Sequence, residues 1–330
     1  MVSIVKTYAA RLVVVLLISS VFTLPVNGQR AIEPVDNDNS SRRKKDQVRP
    51  VTIPITLHIR GLKNIQSEEL IPIGDLTIKE DGEERKVLSI RSIGNTPLAF
   101  SILIQDDVVS SIGSEIKGIG EFIRTLPKGS RVMVGYIKSG SLQVRQKFTT
   151  DLDKAVRALR IPISSALMAP YNPYVEIIEG LKRYEALPSG RRAMLVVTDG
   201  LDRSRGISGS SPGFSLDLDR AIREAQRRSV AIYSFYAPTV AATDSRNPIL
   251  VNDAQGSLQR LSDESGGRAF FQGTGAPVSF DPFLKELGES LFMQLAVTFL
   301  STSQDKGFHR IEVSVARKGV KVDYPAGYTR

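Results

Sequence analysis

The stretch Leu98-Ala-Phe-Ser-Ile-Leu-Ile-Gln-Asp-Asp-Val-Val-Ser-Ser-Ile-Gly113 joins an apolar run to two adjacent carboxylates and two hydroxyls. Apolar runs of this kind are typical of parallel strands that helices cover on both faces. Residues 193–197 form a second such run, which ends in Thr198-Asp199-Gly200. Because ligands bind beyond the carboxyl ends of parallel strands, the sequence predicts a site where these two strands end.

Helical and apolar segments alternate after the first of these strands. The spacing predicts helices in 112–126, 151–160, 174–187, 217–228, 255–266 and 280–291, and strands in 131–138, 142–148, 193–197, 230–236 and 269–271. Strands that helices separate form a parallel sheet with right-handed crossovers. We therefore predict an α/β fold with a doubly wound, mainly parallel sheet.

Both flanks of this series change to a two-residue period. Alternation begins at Val51, where Pro54 favours an edge strand, and Asp81-Gly82 predicts a hairpin turn. After Phe292 the alternation returns in 295–299, 311–315 and 320–324. Because an antiparallel unit as small as 51–95 is not stable alone, we expect both chain ends to form one flanking antiparallel β layer.

The first 28 residues have the pattern of a secretory signal. Lys6 and Arg11 supply positive charge, residues 12–24 are apolar, and Val26-Asn27-Gly28 offers small residues for cleavage. The apolar stretch is shorter than the about 20 residues that a stable transmembrane helix needs. The sequence therefore predicts an exported protein, in the periplasm, the cell envelope or the medium, and an uncleaved anchor is the alternative.

The next segment is polar and includes the basic cluster Arg42-Arg-Lys-Lys45. Its composition predicts a disordered linker, and the cluster is either a solvated charge run or a contact with a membrane surface. The predicted division of the chain is a signal peptide in 1–28, a linker in 29–50, a β segment in 51–95, the α/β domain in 96–290 and a closing β segment in 291–330.

Composition excludes several kinds of site. The chain has no cysteine, so disulfides and thiolate sites are absent. Its two histidines, His58 and His309, fall in predicted strands away from the acidic strand ends, which argues against a Ser-His-Asp triad or a zinc site. The net charge is +9, but no basic stripe with interleaved aromatic residues indicates nucleic-acid binding.

Short motifs in both flanks add a resemblance to a known family. Asp75-Leu-Thr-Ile-Lys-Glu-Asp-Gly82 is similar to a DF-x-V-x-EDG hairpin, and Tyr324-Pro-Ala-Gly-Tyr328 is similar to a closing GY. With the acidic strand ends, these motifs resemble the bacterial exported VWFA-related family, whose central part is a von Willebrand factor type A (vWA) domain. The resemblance implies a doubly wound sheet over about 96–290, with β segments on both sides.

The resemblance also implies a metal-ion-dependent adhesion site for Mg²⁺, built from D-x-S-x-S, a Thr and an Asp. Here Asp106 and Ser110 fit, but Val108 replaces the first Ser, and the register one residue later has the same defect. Asn172 is the nearest oxygen donor in the loop that should carry the Thr, and Asp199 fits the last acid. The implied site is thus degenerate, and the alternative is that Asp106 and Asp199 cap strand ends and helix N-termini.

Four further residues at the same edge are predicted partner contacts: Asp107, Ser111, Tyr171 and Tyr174. The prolines of residues 170–174 hold two tyrosines in a short loop, and aromatic anchors often carry binding energy. Packing of these rings over the sheet edge is the alternative interpretation.

These observations favour an exported adhesion or scaffold module that binds a protein partner and is not an enzyme. One alternative is a metal-assisted hydrolase that uses Asp106, Asp107 and Asp199. The other is a structural envelope component that pairs with its partner through open β edges.

Overall fold

The computed structural model describes residues 48–59, 75–93, 96–206, 209–240 and 247–330. These ranges belong to one compact unit, Asp46–Arg330. The predicted signal peptide lies outside the described residues, and so does the predicted linker up to residue 47. Within the described ranges, no helix combines the length and the apolar character that crossing a membrane requires.

Strands dominate the two flanks, and helices alternate with strands between them. The strands of the described ranges are β1 (Arg49–Ile59), β2 (Leu76–Glu80), β3 (Glu83–Arg85), β4 (Val87–Arg91), β5 (Leu98–Gln105), β6 (Arg131–Lys138), β7 (Ser141–Thr149), β8 (Arg191–Thr198), β9 (Ala231–Tyr236), β10 (Ala269–Phe270), β11 (Gln294–Ser301), β12 (Phe308–Val315), β13 (Val320–Asp323) and β14 (Gly327–Thr329). The α-helices are α1 (Ile116–Thr125), α2 (Leu152–Arg157), α3 (Pro173–Lys182), α4 (Leu216–Arg227), α5 (Pro248–Ser265) and α6 (Asp281–Phe292).

The central sheet has six strands in the order β10-β9-β8-β5-β6-β7. All neighbours are parallel except β7, which pairs antiparallel with β6. The strands β5 and β8 are buried along their whole length. The predicted doubly wound, mainly parallel sheet is confirmed, and its strand order reverses between β5 and β8, which is where ligands of such sheets bind.

Alternate residues of β5 face two separate apolar cores, because side chains of a strand point to opposite faces. Ile102 and Ile104 lie in one core with residues of α1, α2 and α6. Leu103 lies in the other core with residues of α3 and α4. Helices therefore cover both faces of the sheet, as the continuous apolar run predicts.

Both chain ends build the flanking β layer, as predicted, but the layer consists of two sheets. Their strand orders are β13-β1-β11-β4 and β14-β12-β2-β3, and residues of both sheets share one apolar core. Strands of 51–95 pair with strands of the closing segment, since β1 and β4 pair with β11, and β2 pairs with β12. Alternation shows which face of a strand is buried, but it does not show which strand lies beside it.

Two local predictions concern turns and edges. The hairpin between β2 and β3 is confirmed, with positive φ at Asp81 (52°) and Gly82 (87°) as in a two-residue turn. Pro54 lies where β1 pairs with β11 alone, because β13 pairs only with Thr56 to Ile59. The edge position therefore holds for that part of β1 only.

Some element bounds differ from the prediction. The helix predicted from residue 255 begins at Pro248, because Asn247 caps it and proline suits the first helical position. The helix predicted in 151–160 ends at Arg157, and β14 was not predicted because three residues are too few to show a period. The segment from Ser110 to Glu115 is a 3₁₀ turn that leads into α1.

The flanking sheet β13-β1-β11-β4 packs against the amino-terminal ends of the central strands. Arg191, the first residue of β8, donates from Nε to the carbonyl oxygen of Gln294 at 2.9 Å. The hydroxyls of Thr56 and Tyr233 lie 3.3 Å apart, which links β1 to β9. These contacts are at the edge opposite to the carboxyl ends of β5 and β8.

Candidate functional site

The carboxyl ends of β5 and β8 are joined by the side chain of Gln105. Its Oε1 accepts hydrogen bonds from the Thr198 hydroxyl and from the Asp199 backbone N–H, the latter at 3.4 Å. Its Nε2 donates to Asp107 Oδ1 at 2.8 Å. Gln105 is not among the predicted site residues, although a polar residue at the last position of a buried strand is a usable signal. This amide fixes the relative positions of the two acidic loops.

Asp199 is held by three donors. Its Oδ2 accepts from Arg203 Nη2 at 2.9 Å and from the Thr239 hydroxyl at 3.0 Å, and its Oδ1 accepts from the Leu201 N–H at 3.2 Å. Burial raises the pKa of Asp199, and the Arg203 charge opposes that shift. Thr239 follows β9 and was not predicted, since nothing in its local sequence marks it.

Asp107 lies beside Asp199 with only half of its carboxylate satisfied. Its Oδ2 is buried and has no hydrogen-bond partner in the part of the chain that the structure describes. Burial, followed by the Asp199 charge, raises the pKa of Asp107 to about 6. The backbone of this segment is fixed, because Val240 N–H donates to the Asp107 carbonyl at 3.2 Å.

Asp106 belongs to a different cluster. Both of its carboxylate oxygens accept from the Arg160 guanidinium, at 2.7 and 2.6 Å, and Oδ1 also accepts from the Ile163 N–H at 3.0 Å. The guanidinium lies 4.0 Å from the ring centroid of Tyr136. The hydrogen bond to Asp106 raises the pKa of Arg160, so the guanidinium keeps its positive charge beside this carboxyl group.

The four predicted Mg²⁺ donors serve other partners or none. Asn172 caps α3 through a bond from the Tyr174 N–H and donates to Asp217, and Ser110 is exposed in the 3₁₀ turn. A Mg²⁺ site needs several oxygen ligands that converge in an octahedron. The oxygens of Asp106 and Asp199 instead face protein donors, so this donor set does not fit the ion. No cluster of three or more metal-binding side chains occurs in the described ranges.

The four predicted partner contacts separate into two pairs. Ser111 and Tyr171 are exposed, Tyr171 to 76%. Tyr174 is buried, and its hydroxyl donates to the Gly200 carbonyl at 2.6 Å. Asp107 is 1% exposed. The expectation that the acidic strand ends face outward is therefore wrong, because the carboxylates lie beneath the loops that they help to hold, and Tyr174 packs on the sheet edge.

A loop over residues 158–172 crosses this edge, and its backbone is hydrogen-bonded to the segments beneath it. The Ser164 N–H donates to the Asp106 carbonyl at 2.8 Å, the Met168 carbonyl accepts from Ser139 at 3.1 Å, and the Tyr171 carbonyl accepts from Arg203 at 2.7 Å. Four large apolar side chains of the loop are exposed by half or more. This set, called here the apolar rim, is Ile161, Ile163, Leu167 and Tyr171.

Comparison with known proteins gives structural relatives only. No protein-family model and no curated protein matches this chain. Solved structures similar to it include an aerotolerance-related membrane protein from Bacteroides fragilis NCTC 9343, at 12% identity over 59% of this chain and 98% of that chain, with a TM-score of 0.41. BatB from Bacteroides thetaiotaomicron has 11% identity over 59% and 97%, with a TM-score of 0.40.

A third similar structure is a von Willebrand factor type A protein from Catenulispora acidiphila. It has 10% identity, covers 85% of this chain and 74% of that chain, and gives a TM-score of 0.40. vWA domains are thus among the solved structures similar to this chain.

Proposed function

We propose that this chain is an exported, vWA-like protein-interaction module whose partner docks on the carboxyl edge of the central sheet. The supporting observation is the apolar rim, whose side chains are exposed while three backbone hydrogen bonds hold its loop. Exposed apolar groups on a fixed backbone lose little conformational freedom on binding. Clustered exposed apolar side chains of this kind mark interaction sites in soluble proteins.

Docking in this proposal needs no metal ion. Arg160 and Arg203 already place a positive charge against Asp106 and Asp199, which are the acids that the family resemblance assigns to the ion. Val108 is buried at the position of the first hydroxyl ligand. Mg²⁺ bound only by the native state would raise the free energy of unfolding. We expect the same stability in excess Mg²⁺ and in EDTA, measured by urea unfolding, and a rise in Mg²⁺ would contradict this part.

A catalytic role is not part of the proposal. Asp106, Asp107 and Asp199 are at most 2% exposed. A general base must lie within hydrogen-bond reach of the substrate proton, and these carboxylates lie beneath the loops of the edge.

The docking surface is tested by photo-cross-linking in the cells that produce the protein. A benzophenone amino acid at Leu167 reports on the apolar rim, and the same group at Leu88 reports on an exposed apolar position of β4. We expect one discrete partner from Leu167, lost when Ile163 and Tyr171 are changed to Ser, and no such product from Leu88. Equal products from both positions would contradict docking at this edge.

A further inference from the structure

We propose that the partner presents an acidic segment with neighbouring apolar side chains, and that Arg203 and Arg205 bind its carboxylates. This rests on the proposed function and names the chemistry of the partner. The starting observation is an asymmetry of charge at the carboxyl edge. The four acids that directly follow β5 and β8 are Asp106, Asp107, Asp199 and Asp202, and none is more than 4% exposed. Asp217, which accepts from Asn172 at the same edge, has a side chain that is 23% exposed and is paired with Arg220.

The cations of the same segments reach the surface. The side chain of Arg203 is 26% exposed and that of Arg160 is 24% exposed, although both bind buried carboxylates. Arg205 is exposed and Lys138 is half-buried, and in the described ranges neither side chain has a hydrogen bond or an ion pair. The surface that a partner meets therefore carries positive charge, with the carboxylates behind it.

The guanidinium of Arg203 is held in place by two hydrogen bonds and keeps further N–H donors for a ligand. Its Nη2 donates to Asp199 at 2.9 Å and to the Thr239 hydroxyl at 3.1 Å. A guanidinium has five N–H groups. In the described ranges both side-chain hydrogen bonds of Arg203 come from Nη2, which leaves the three N–H groups on Nε and Nη1 for a ligand. A guanidinium anchored in this way is a receptor for a carboxylate, because charged N–H···O bonds are about twice as strong as neutral ones.

Apolar groups adjoin these cations. The turn that carries Arg203 and Arg205 is closed by a bond from the Gly206 N–H to the Arg203 carbonyl at 3.1 Å. The Arg203 N–H bonds the Tyr171 carbonyl, which places the turn beside the apolar rim. On the other side of the loop, Ser139 bonds Met168 and brings Lys138 to the rim. An acidic segment with apolar residues matches both features of this surface.

The test is selection from a random 12-residue peptide library on the full chain, followed by titration of the selected peptides. We expect Asp or Glu beside large apolar residues, and weaker binding when the acid is replaced by its amide or when salt is raised. Arg203→Lys keeps a charge next to Asp199 and loses the planar donors, so we expect about tenfold weaker binding. Arg205→Gln should weaken binding about threefold.

Matched variants separate this inference from the proposed function. Lys321→Gln removes the same charge from β13, away from the edge, and should leave affinity unchanged. Selected peptides that lose affinity with Tyr171→Ser but are insensitive to Arg203→Lys and to amidation overturn the acidic partner and leave docking at the rim intact. A library that yields no binder overturns both, and peptides that require Mg²⁺ overturn the role given to the arginines.

Discussion

The two edges of the central sheet use buried arginines in opposite ways. At the amino edge Arg191 and Arg192 donate to main-chain carbonyls, including those of Gln294 and Arg228 at 2.9 and 2.8 Å. Burial lowers the pKa of Arg191 to about 10. At the carboxyl edge Arg160 binds a carboxylate, which raises its pKa. The arginines of the amino edge hold the central sheet against the flanking β layer. Arg160 at the carboxyl edge instead remains partly exposed and charged at the surface of the protein.

This difference separates stability from function. A guanidinium bonded to backbone carbonyls compensates acceptors that would otherwise be buried without a donor. A guanidinium paired with a buried carboxylate keeps a partly exposed face, and its remaining donors are open to a ligand. We therefore expect the largest losses in the free energy of unfolding from changes at the amino edge, and we expect effects on partner binding only from the partly exposed arginines of the carboxyl edge.

The largest expected effect is at the amino edge. Arg191→Ala leaves the carbonyls of Leu291 and Gln294 without their donor and opens a cavity at a side chain that is 2% exposed. We expect a loss of about 4 kcal/mol in the free energy of unfolding, measured by urea denaturation. Arg131→Ala is the matched control, since Arg131 is the first residue of β6 and its side chain is exposed. This variant should change the free energy of unfolding by less than about 0.5 kcal/mol. Equal losses would show that the burial and the hydrogen bonds of Arg191 do not set the effect.

A smaller effect concerns a carboxyl-edge acid that has no arginine. Glu176 lies in the first turn of α3, is 2% exposed, and its Oε2 has no hydrogen-bond partner in the described ranges. Burial, followed by the charge of Glu179, raises the pKa of Glu176 to about 7. Because the folded pKa exceeds the unfolded value, ionisation favours the unfolded state as the pH rises between about 4.5 and 7.

Glu176→Met removes this ionisation at similar volume. At pH 8 the variant should exceed the wild type by about 2–3 kcal/mol in the free energy of unfolding, and the difference should vanish below pH 4.5. Urea denaturation across this pH range measures both quantities. Glu121→Gln serves as the control, because the Glu121 side chain is 64% exposed, and it should change the free energy of unfolding at pH 8 by less than about 0.5 kcal/mol. A constant difference at every pH would show that packing, not charge, sets the effect.

The fold was predictable because burial on both faces leaves a continuous apolar run. The strand predicted in 131–138 has the bounds Arg131–Lys138 in the structure. For the candidate site, the sequence predicted the acidic residues but not their partners. Asp106 and Asp107 are adjacent, but both lie in the turn after β5, where the two-residue period of a strand does not show which way each side chain points. The sequence therefore identified both acids, but it did not show that Asp107 lies with Asp199 or that Asp106 turns to Arg160.

The missing partners of the site come from distant parts of the chain. Arg160 meets Asp106 across 54 residues, and Thr239 meets Asp199 across 40. Such contacts depend on strand order and on loop paths, which no local period encodes. Gln105 is the exception, since its position at the end of β5 was visible and its polarity was the signal.

The smallest expected effect is at the Asp106–Arg160 pair. Asp106→Asn removes a fully buried charge but keeps one acceptor for Arg160, whose side chain stays partly solvated, so we expect a loss of about 2 kcal/mol by urea denaturation. Arg160→Met leaves Asp106 buried and uncompensated and should cost more than Asp106→Asn. If the pair is the source of both losses, the double variant will lose less than the sum of the two single variants. Additive losses would mean that the two residues stabilise the edge independently. Arg160 would then not supply the positive charge that compensates Asp106 in place of a metal ion.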